Sequence, residues 1–324
     1  MKNNAQTSRT SNSFDWAVAV FAAREASDEL LLTINAVKDA AAQCPAVIDV
    51  LVNGNQRLAN DISELLTRQK SLTSSSVVRV WSIVLGDKAH AWNQYVHRVW
   101  PGAKMSFFVD GYVRLNADAL RLLDEGVTAH PCALGGTGTP TTGRTAENLR
   151  QQMVTEGGLH GNFFALTQAT MNQLRECNVH LPLGLYRTDS TLGAALAFGL
   201  DPSRCKWDLK GRIFVHPAVT WTTDERKWWC YAEVKSQFKR TLRQAQGVLE
   251  NRAVRNFMVL QKLPLQKLPR TASALVLDWA ENYPTEAGAV FWKNPLSRVA
   301  LTKFKQPRDW SGAAQSPQLV SVIP

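Results

Sequence analysis

Trp16-Ala17-Val18-Ala19-Val20-Phe21-Ala22-Ala23-Arg24-Glu25 is a short apolar run that breaks abruptly into an ionised pair. A run of this length, bounded by polar residues, predicts a strand over Trp16–Phe21. The same grammar recurs downstream. Ile48–Val52 ends in Asn53-Gly54-Asn55, Val77–Val84 ends near Gly86-Asp87-Lys88, and Met105–Val109 ends in Asp110-Gly111-Tyr112. Between these runs, Asp28–Gln43, Leu58–Lys70 and Asp87–Val99 carry helical spacing. In the last of them, Ala91, Trp92, Tyr95, Val96 and Val99 form an apolar stripe, with Lys88 and Asn93 off its centre. Strands alternating with helices predict an α/β fold: a mostly parallel central sheet flanked by helices.

Beyond Val109 the pattern changes. Gly135-Gly136-Thr137-Gly138-Thr139-Pro140 is rich in turn formers and predicts a surface loop. Phe163–Leu166 reads as a strand, Gln168–Glu176 as a helix, Asp189–Phe198 as a helix with Thr188 as its N-cap, and Arg212–Val215 as a strand. The expected organisation is a disordered leader over 1–13, a catalytic domain over 14–223, and a basic helical extension with an irregular tail over 224–324.

The chain has 324 residues, 45% of them hydrophobic, enough for a sizeable core, and a formal charge of +10. That charge favours polyanionic partners: nucleotide phosphates, acidic glycans, anionic lipid headgroups or nucleic acid. The 5 cysteines form no CxxC pair and are odd in number, which fits a reducing compartment, and no stretch reaches the length of a membrane span. A cytoplasmic chain is expected. Peripheral contact with an anionic membrane is open to it through Trp228, Trp229, Tyr231 and the basic residues up to Arg243, which equally suit a helix packed on the catalytic domain.

In open α/β sheets, ligands bind beyond the carboxyl ends of the strands, where the polar segments of this chain sit. At this point a resemblance becomes specific. The four strand-end segments, in this order and spacing, resemble the family-2 glycosyltransferases with the A-type, Rossmann-like fold, over about two thirds of the chain. Val20–Glu25 is similar to the first-strand signature that holds the nucleotide base, with Ala22 in place of the usual proline. Leu51–Asn55 is similar to the second-strand signature, with Asn53 near the place of the family's acidic residue that contacts uracil or ribose. Lys88-Ala89-His90-Ala91-Trp92-Asn93 is similar to a Gly-Lys-x-x-Ala-Leu-Asn segment, and Asp110 stands at the start of an Asp-x-Asp motif.

The resemblance implies a nucleotide-sugar donor, a uridine diphosphate sugar first, bound by Ala22, Arg24, Glu25, Asn53, Lys88, Asn93 and Asp110. It implies a hydroxyl of a glycan or lipid-linked acceptor as the other substrate, with Gly161 framing it and Asp189 as the base of an inverting transfer. Gln237 and Arg240 fall on a partial match to a Gln-x-x-Arg-Trp motif, with Thr241 in place of the tryptophan. His160, between glycines, is placed on the acceptor side by its own surroundings.

Such a transfer needs a carboxylate to deprotonate the acceptor and positive charge to stabilise the departing diphosphate. Tyr112 replaces the second carboxylate of Asp-x-Asp. The charge therefore comes either from Mn²⁺ or Mg²⁺ shared by Asp110 and His216, or from Lys88, Arg240 and other basic side chains. Each residue also has an ordinary reading: Asp110-Gly111 as a turn, Asp189 as a first-turn helix acid, Lys88 and Asn93 on a solvated face, His216 as a structural histidine. Two rival functions stay open, a degenerate member of this fold acting as a binding scaffold and, less favoured, a basic nucleic-acid-binding protein. A dinucleotide oxidoreductase is disfavoured, because no Gly-x-Gly-x-x-Gly follows the first strand.

Overall fold

The computed structural model describes residues 14–69, 76–143, 145–223 and 231–324, without the side chains of 231–240. The expected leader lies outside the described residues, as do Trp228 and Trp229. The described residues contain one 9-stranded sheet. Its strands are β1 (Phe14–Ala22), β2 (Ala46–Asn53), β3 (Ser76–Ile83), β4 (Ala103–Asp110), β5 (Val113–Leu115), β6 (Gly135–Pro140), β7 (Phe163–Thr167), β8 (Ile213–Thr223) and β9 (Gln318–Ile323). The spatial order is β5-β8-β6-β7-β4-β1-β2-β3-β9.

The helices are α1 (Ser27–Ala40), α2 (Gln56–Arg68), α3 (Lys88–Gln94), α4 (Ala119–Thr128), α5 (Ala146–Glu156), α6 (Gln168–Glu176), α7 (Thr188–Ala197), α8 (Leu209–Arg212), α9 (Tyr231–Arg255), α10 (Ala272–Asn282), α11 (Pro284–Lys293) and α12 (Leu296–Phe304). A π-helical turn, Tyr95–Val99, continues α3. Arg187, not Thr188, occupies the N-cap position of α7.

Strand β1 shows why these runs are apolar throughout. Val18 and Val20 enter the layer that contains Leu30 and Ile34 of α1, Ile62 of α2 and Leu123 of α4. Ala19 and Phe21 enter the opposite layer, with Trp92 of α3, Leu174 of α6 and Leu192 of α7. A strand covered on both faces has no polar side to present.

The sheet is mixed, which corrects the expectation of a mostly parallel one. Strands β3, β2, β1 and β4 run parallel as neighbours, and so do β6 and β8. Strand β7 opposes both β4 and β6, β5 opposes β8, and β9 opposes β3. A strand's residue pattern is indifferent to its direction, which is set by the path between strands.

Two further expectations are corrected. The glycine-rich stretch is not a surface loop but the buried strand β6. Its glycines serve close approach: a Cβ at Gly135 would lie 2.2 Å from the Ala165 carbonyl oxygen, and one at Gly138 would lie 2.5 Å from that of Val219. The stretch after Pro264, expected to be irregular, contains α10 to α12 and β9. Leu249 of α9, Trp279 of α10 and Phe304 of α12 share one apolar layer with Phe21, Phe108 and Phe164 of the sheet. The described residues of 14–223 and 231–324 thus share a common core and, through β9, a common sheet.

Candidate active site

The chain goes from β1 to β2 and β3 on one side, then crosses to place β4 on the other side of β1. Such a switch point opens a crevice at the carboxyl ends of the two strands. Asp110 ends β4, in register with Phe21 of β1, and the Gly111 N–H donates to the Phe21 carbonyl oxygen (2.8 Å). Lys88 starts α3 and pairs its ammonium with Asp110 Oδ1, with Nζ also 3.4 Å from the Gly161 carbonyl oxygen. The Tyr112 hydroxyl lies 3.1 Å from Asp110 Oδ2 and 3.2 Å from Asn162 Oδ1.

The segment before β7 completes the cluster. The Asn162 carbonyl oxygen accepts from the Asp110 N–H (3.0 Å), and the Gly161 N–H donates to Asp189 Oδ2 (3.3 Å). Asp189 is in the first turn of α7. A Cβ at Gly161 would lie 3.1 Å from the Asp189 Cβ and Cγ, so glycine there lets the carboxylate sit against the backbone. His160 packs its ring on Trp221 with centroids 5.0 Å apart, and its Nδ1 accepts from the Asn162 N–H (3.2 Å), which leaves the proton of the neutral ring on Nε2.

Electrostatics tie these groups together. Burial pushes the Asp110 carboxyl above its ordinary range; Lys88 and Tyr112 pull it down and the Asp189 charge adds to the rise. Burial holds His160 below its usual value, and Asp189 opposes that effect while Lys88 and Arg187 reinforce it. Lys88, Asp110, His160, Gly161 and Asp189, expected on separate segments, are therefore brought together.

Of the remaining donor-side residues, Asn53 donates from Nδ2 to the Ala22 carbonyl oxygen (2.8 Å), tying the ends of β1 and β2. Glu25 Oε2 accepts from the N–H groups of Ala23 (2.7 Å) and Arg24 (2.8 Å), which shapes the loop after β1 and leaves the Arg24 side chain exposed. These residues border the crevice.

Others lie elsewhere. Asn93 faces away from the crevice, with Nδ2 donating to the Leu181 carbonyl oxygen and Oδ1 accepting from the Leu181 N–H, both at 2.8 Å. It joins α3 to the 178–183 segment. His216 sits against α4, its ring edge-on to Phe214 (5.7 Å) and its Nδ1 accepting from the N–H groups of Ala218 and Val219. Gln237 and Arg240 fall in α9 where side chains are outside the described residues.

The donor set does not suit a divalent ion. Both Asp110 oxygens are engaged, by an ammonium and a hydroxyl, and His216 contacts a different part of the fold. Among the described residues, no group of three or more His, Cys, Asp or Glu side chains could hold a metal. The pairing of Asp110 with His216 is thereby corrected, because the bulged return of β8 turns the histidine toward Gly126 and Glu125.

Several contributors escaped the sequence reading. Glu250 of α9 is 1% exposed and accepts from the N–H groups of Tyr186 (3.0 Å) and Arg187 (2.8 Å), the residues that lead into α7. Burial raises its carboxyl to about 7 against the pull of those N–H groups and of Arg187. A signal existed: Glu250 interrupts the stripe formed by Leu242, Ala245, Leu249, Ala253 and Phe257. Asp87 caps α3 through Oδ1 on the His90 N–H (2.8 Å) and holds the Gly184 N–H with Oδ2 (3.0 Å). Both acids thus brace the approach to Asp189.

No family model and no curated protein matches the sequence. Among solved structures, the mannosyltransferase PcManGT from Pyrobaculum calidifontis, in complex with GDP-Man and Mn²⁺, is similar over 90% of this chain and 84% of its own, at 15% identity and a TM-score of 0.50. TarS of S. aureus, residues 1–349 with UDP-GlcNAc, is similar over 91% and 93%, at 13% identity and a TM-score of 0.45. At this identity the likeness to the mannosyltransferase concerns architecture: the chain has the α/β fold of a nucleotide-diphospho-sugar transferase, with a mixed sheet.

Proposed function

We propose that the chain is a glycosyltransferase that moves a sugar from a nucleotide-diphosphate donor to an acceptor hydroxyl. The observation that carries this reading is the convergence of Asp189, His160 and the Lys88–Asp110 pair at the switch point between β1 and β4. Fold alone would not choose the chemistry. Here a carboxylate and an ammonium stand together in a crevice of a nucleotide-sugar transferase fold.

In this reading Asp189 takes the proton of the acceptor hydroxyl as its oxygen attacks the anomeric carbon from the face opposite the leaving group, which inverts the configuration. The bond to the nucleoside diphosphate breaks with its electron pair, and Lys88 stabilises the departing charge. Asp110 and Tyr112 hold the ammonium and the β4 end in place. His160, on its Trp221 platform, borders the acceptor. No step is routed through a metal ion. The loop after β1, with Asn53 behind it, receives the base and ribose, and a uridine diphosphate sugar is the first donor to try.

The test is a panel of nucleotide sugars, with and without Mn²⁺, read by calorimetry for binding and by nucleoside diphosphate release for turnover. Binding plus turnover that Asp189→Asn removes is the expected result. Binding without turnover would favour a scaffold that keeps the fold, a reading for which the engagement of both Asp110 oxygens speaks. Neither binding nor turnover with any donor would sink the enzyme. Membrane association stays a proposal; among the described residues no helix is long and apolar enough to cross a membrane.

A further inference from the structure

On the other side of α3 from Asp110, a cavity of about 410 Å³ opens between the α3 and π-turn face, the 178–183 segment and the 265–270 segment. Lys88, Asp110, His160, Gly161 and Asp189 do not line it. His90, Asn93, Gln94, His97 and Arg98 share this lining because their i, i+3, i+4, i+7, i+8 spacing puts them on one helical face. The bidentate bond from Asn93 to Leu181 fixes one wall.

The lining has one sign of charge. Arg98 and Arg270 stand exposed at its rim, and no aspartate or glutamate lines it. Among the described residues neither arginine forms an ion pair, and Arg98 donates to the Ser316 hydroxyl. His97 and His180 stack with centroids 4.1 Å apart. The carbonyl oxygen of Val179 and the Oδ1 of Asn178 accept from their Nε2 atoms, which leaves each Nδ1 free to accept from a hydroxyl while the rings are neutral. Leu183 and Leu265 give the floor an apolar surface suited to the face of a pyranose ring.

We propose that this cavity is a second ligand site, for a sugar-sized polyhydroxylated anion whose phosphate or carboxylate is held by Arg98 and Arg270. A guanidinium pair matches either group with paired N–H donors, and the volume accommodates one hexose with its charged substituent. Burial keeps His90 and His97 below their usual values, and burial together with His97 pushes His180 down to about 4. Arg98 acts on His90 and Arg175 on His97 in the same direction. An anion between the arginines opposes these effects and so favours the protonated rings.

Calorimetric titration of the whole chain with glucose 6-phosphate, glucuronate, inorganic phosphate and glucose tests the proposal. Glucose 6-phosphate or glucuronate is expected to bind at least tenfold more tightly than glucose. The tighter of the two assigns the charge to phosphate or carboxylate. Inorganic phosphate binding as tightly as both would refute the sugar-sized part of the proposal. Arg98→Ala and Arg270→Ala, both at exposed positions, should each weaken the better ligand by about tenfold or more, with thermal unfolding unchanged, whereas Asp189→Asn should leave its affinity unaltered. Equal affinity in wild type and the arginine variants, or loss of binding in Asp189→Asn, would overturn the site. These outcomes hold whether or not the chain transfers sugars.

Discussion

Helix α3 separates two environments of different charge. Before its first turn, the carboxylates of Asp110 and Asp189 face the single ammonium of Lys88. Behind it, Arg98 and Arg270 rim a cavity whose lining contains no acid. The front sets carboxylates beside a cation; the back carries cations with no acid among its lining residues.

The sharpest way to break this contrast is at Asp189. Asp189→Asn should lower turnover by roughly 10²- to 10⁴-fold, the usual weight of a positioned base, with donor affinity within about twofold. Unchanged turnover, measured by nucleoside diphosphate release, would remove the chemistry from the front face. Lys88→Met should cost about 10²-fold in turnover and leave Asp110 buried without its ammonium. Adding Asp110→Asn should restore the melting temperature but not the rate. Recovery of both would mean that the pair is only structural.

Glu250 tests how the front is braced. Its carboxyl is raised to about 7 from an ordinary 4.5, so the folded state binds the proton more tightly than the unfolded chain. Stability should therefore fall as pH rises from about 4.5 to 7, by up to about 3 kcal/mol, and level off above that. Glu250→Gln should flatten the denaturation midpoint across this window. A slope equal to that of the wild type would show that Glu250 is not the titrating group. At the partition itself, Asn93→Ala removes both bonds to Leu181 and should cost about 1–3 kcal/mol in urea unfolding, with turnover at saturating substrate within about threefold. A larger loss of turnover than of stability would place Asn93 in the site.

The first four strands were legible because each is a short apolar run between polar ends, and those ends carry Lys88 and Asp110. Convergence with Asp189 followed only from a resemblance, since nothing local says that Gly161 will lie against it. Strand β6 was misread for a physical reason: its glycines answer to the backbones of β7 and β8, which a local window does not contain. Asn93 was read as a donor residue from its motif position, while its partner Leu181 is distant in sequence. His216 failed likewise, because α4 and not β4 receives it. The cavity behind α3 was illegible, being assembled from segments far apart in sequence.

The return of β9 to β3 has a consequence for how the chain is made. During synthesis β3 emerges long before its antiparallel partner, and its outer edge, with Val78 and Val80, stays unpaired while the intervening segments are translated. An open edge of this kind invites pairing with other nascent chains. Productive assembly is then a race between late completion and early aggregation, which slower elongation or limited chaperone supply would lose.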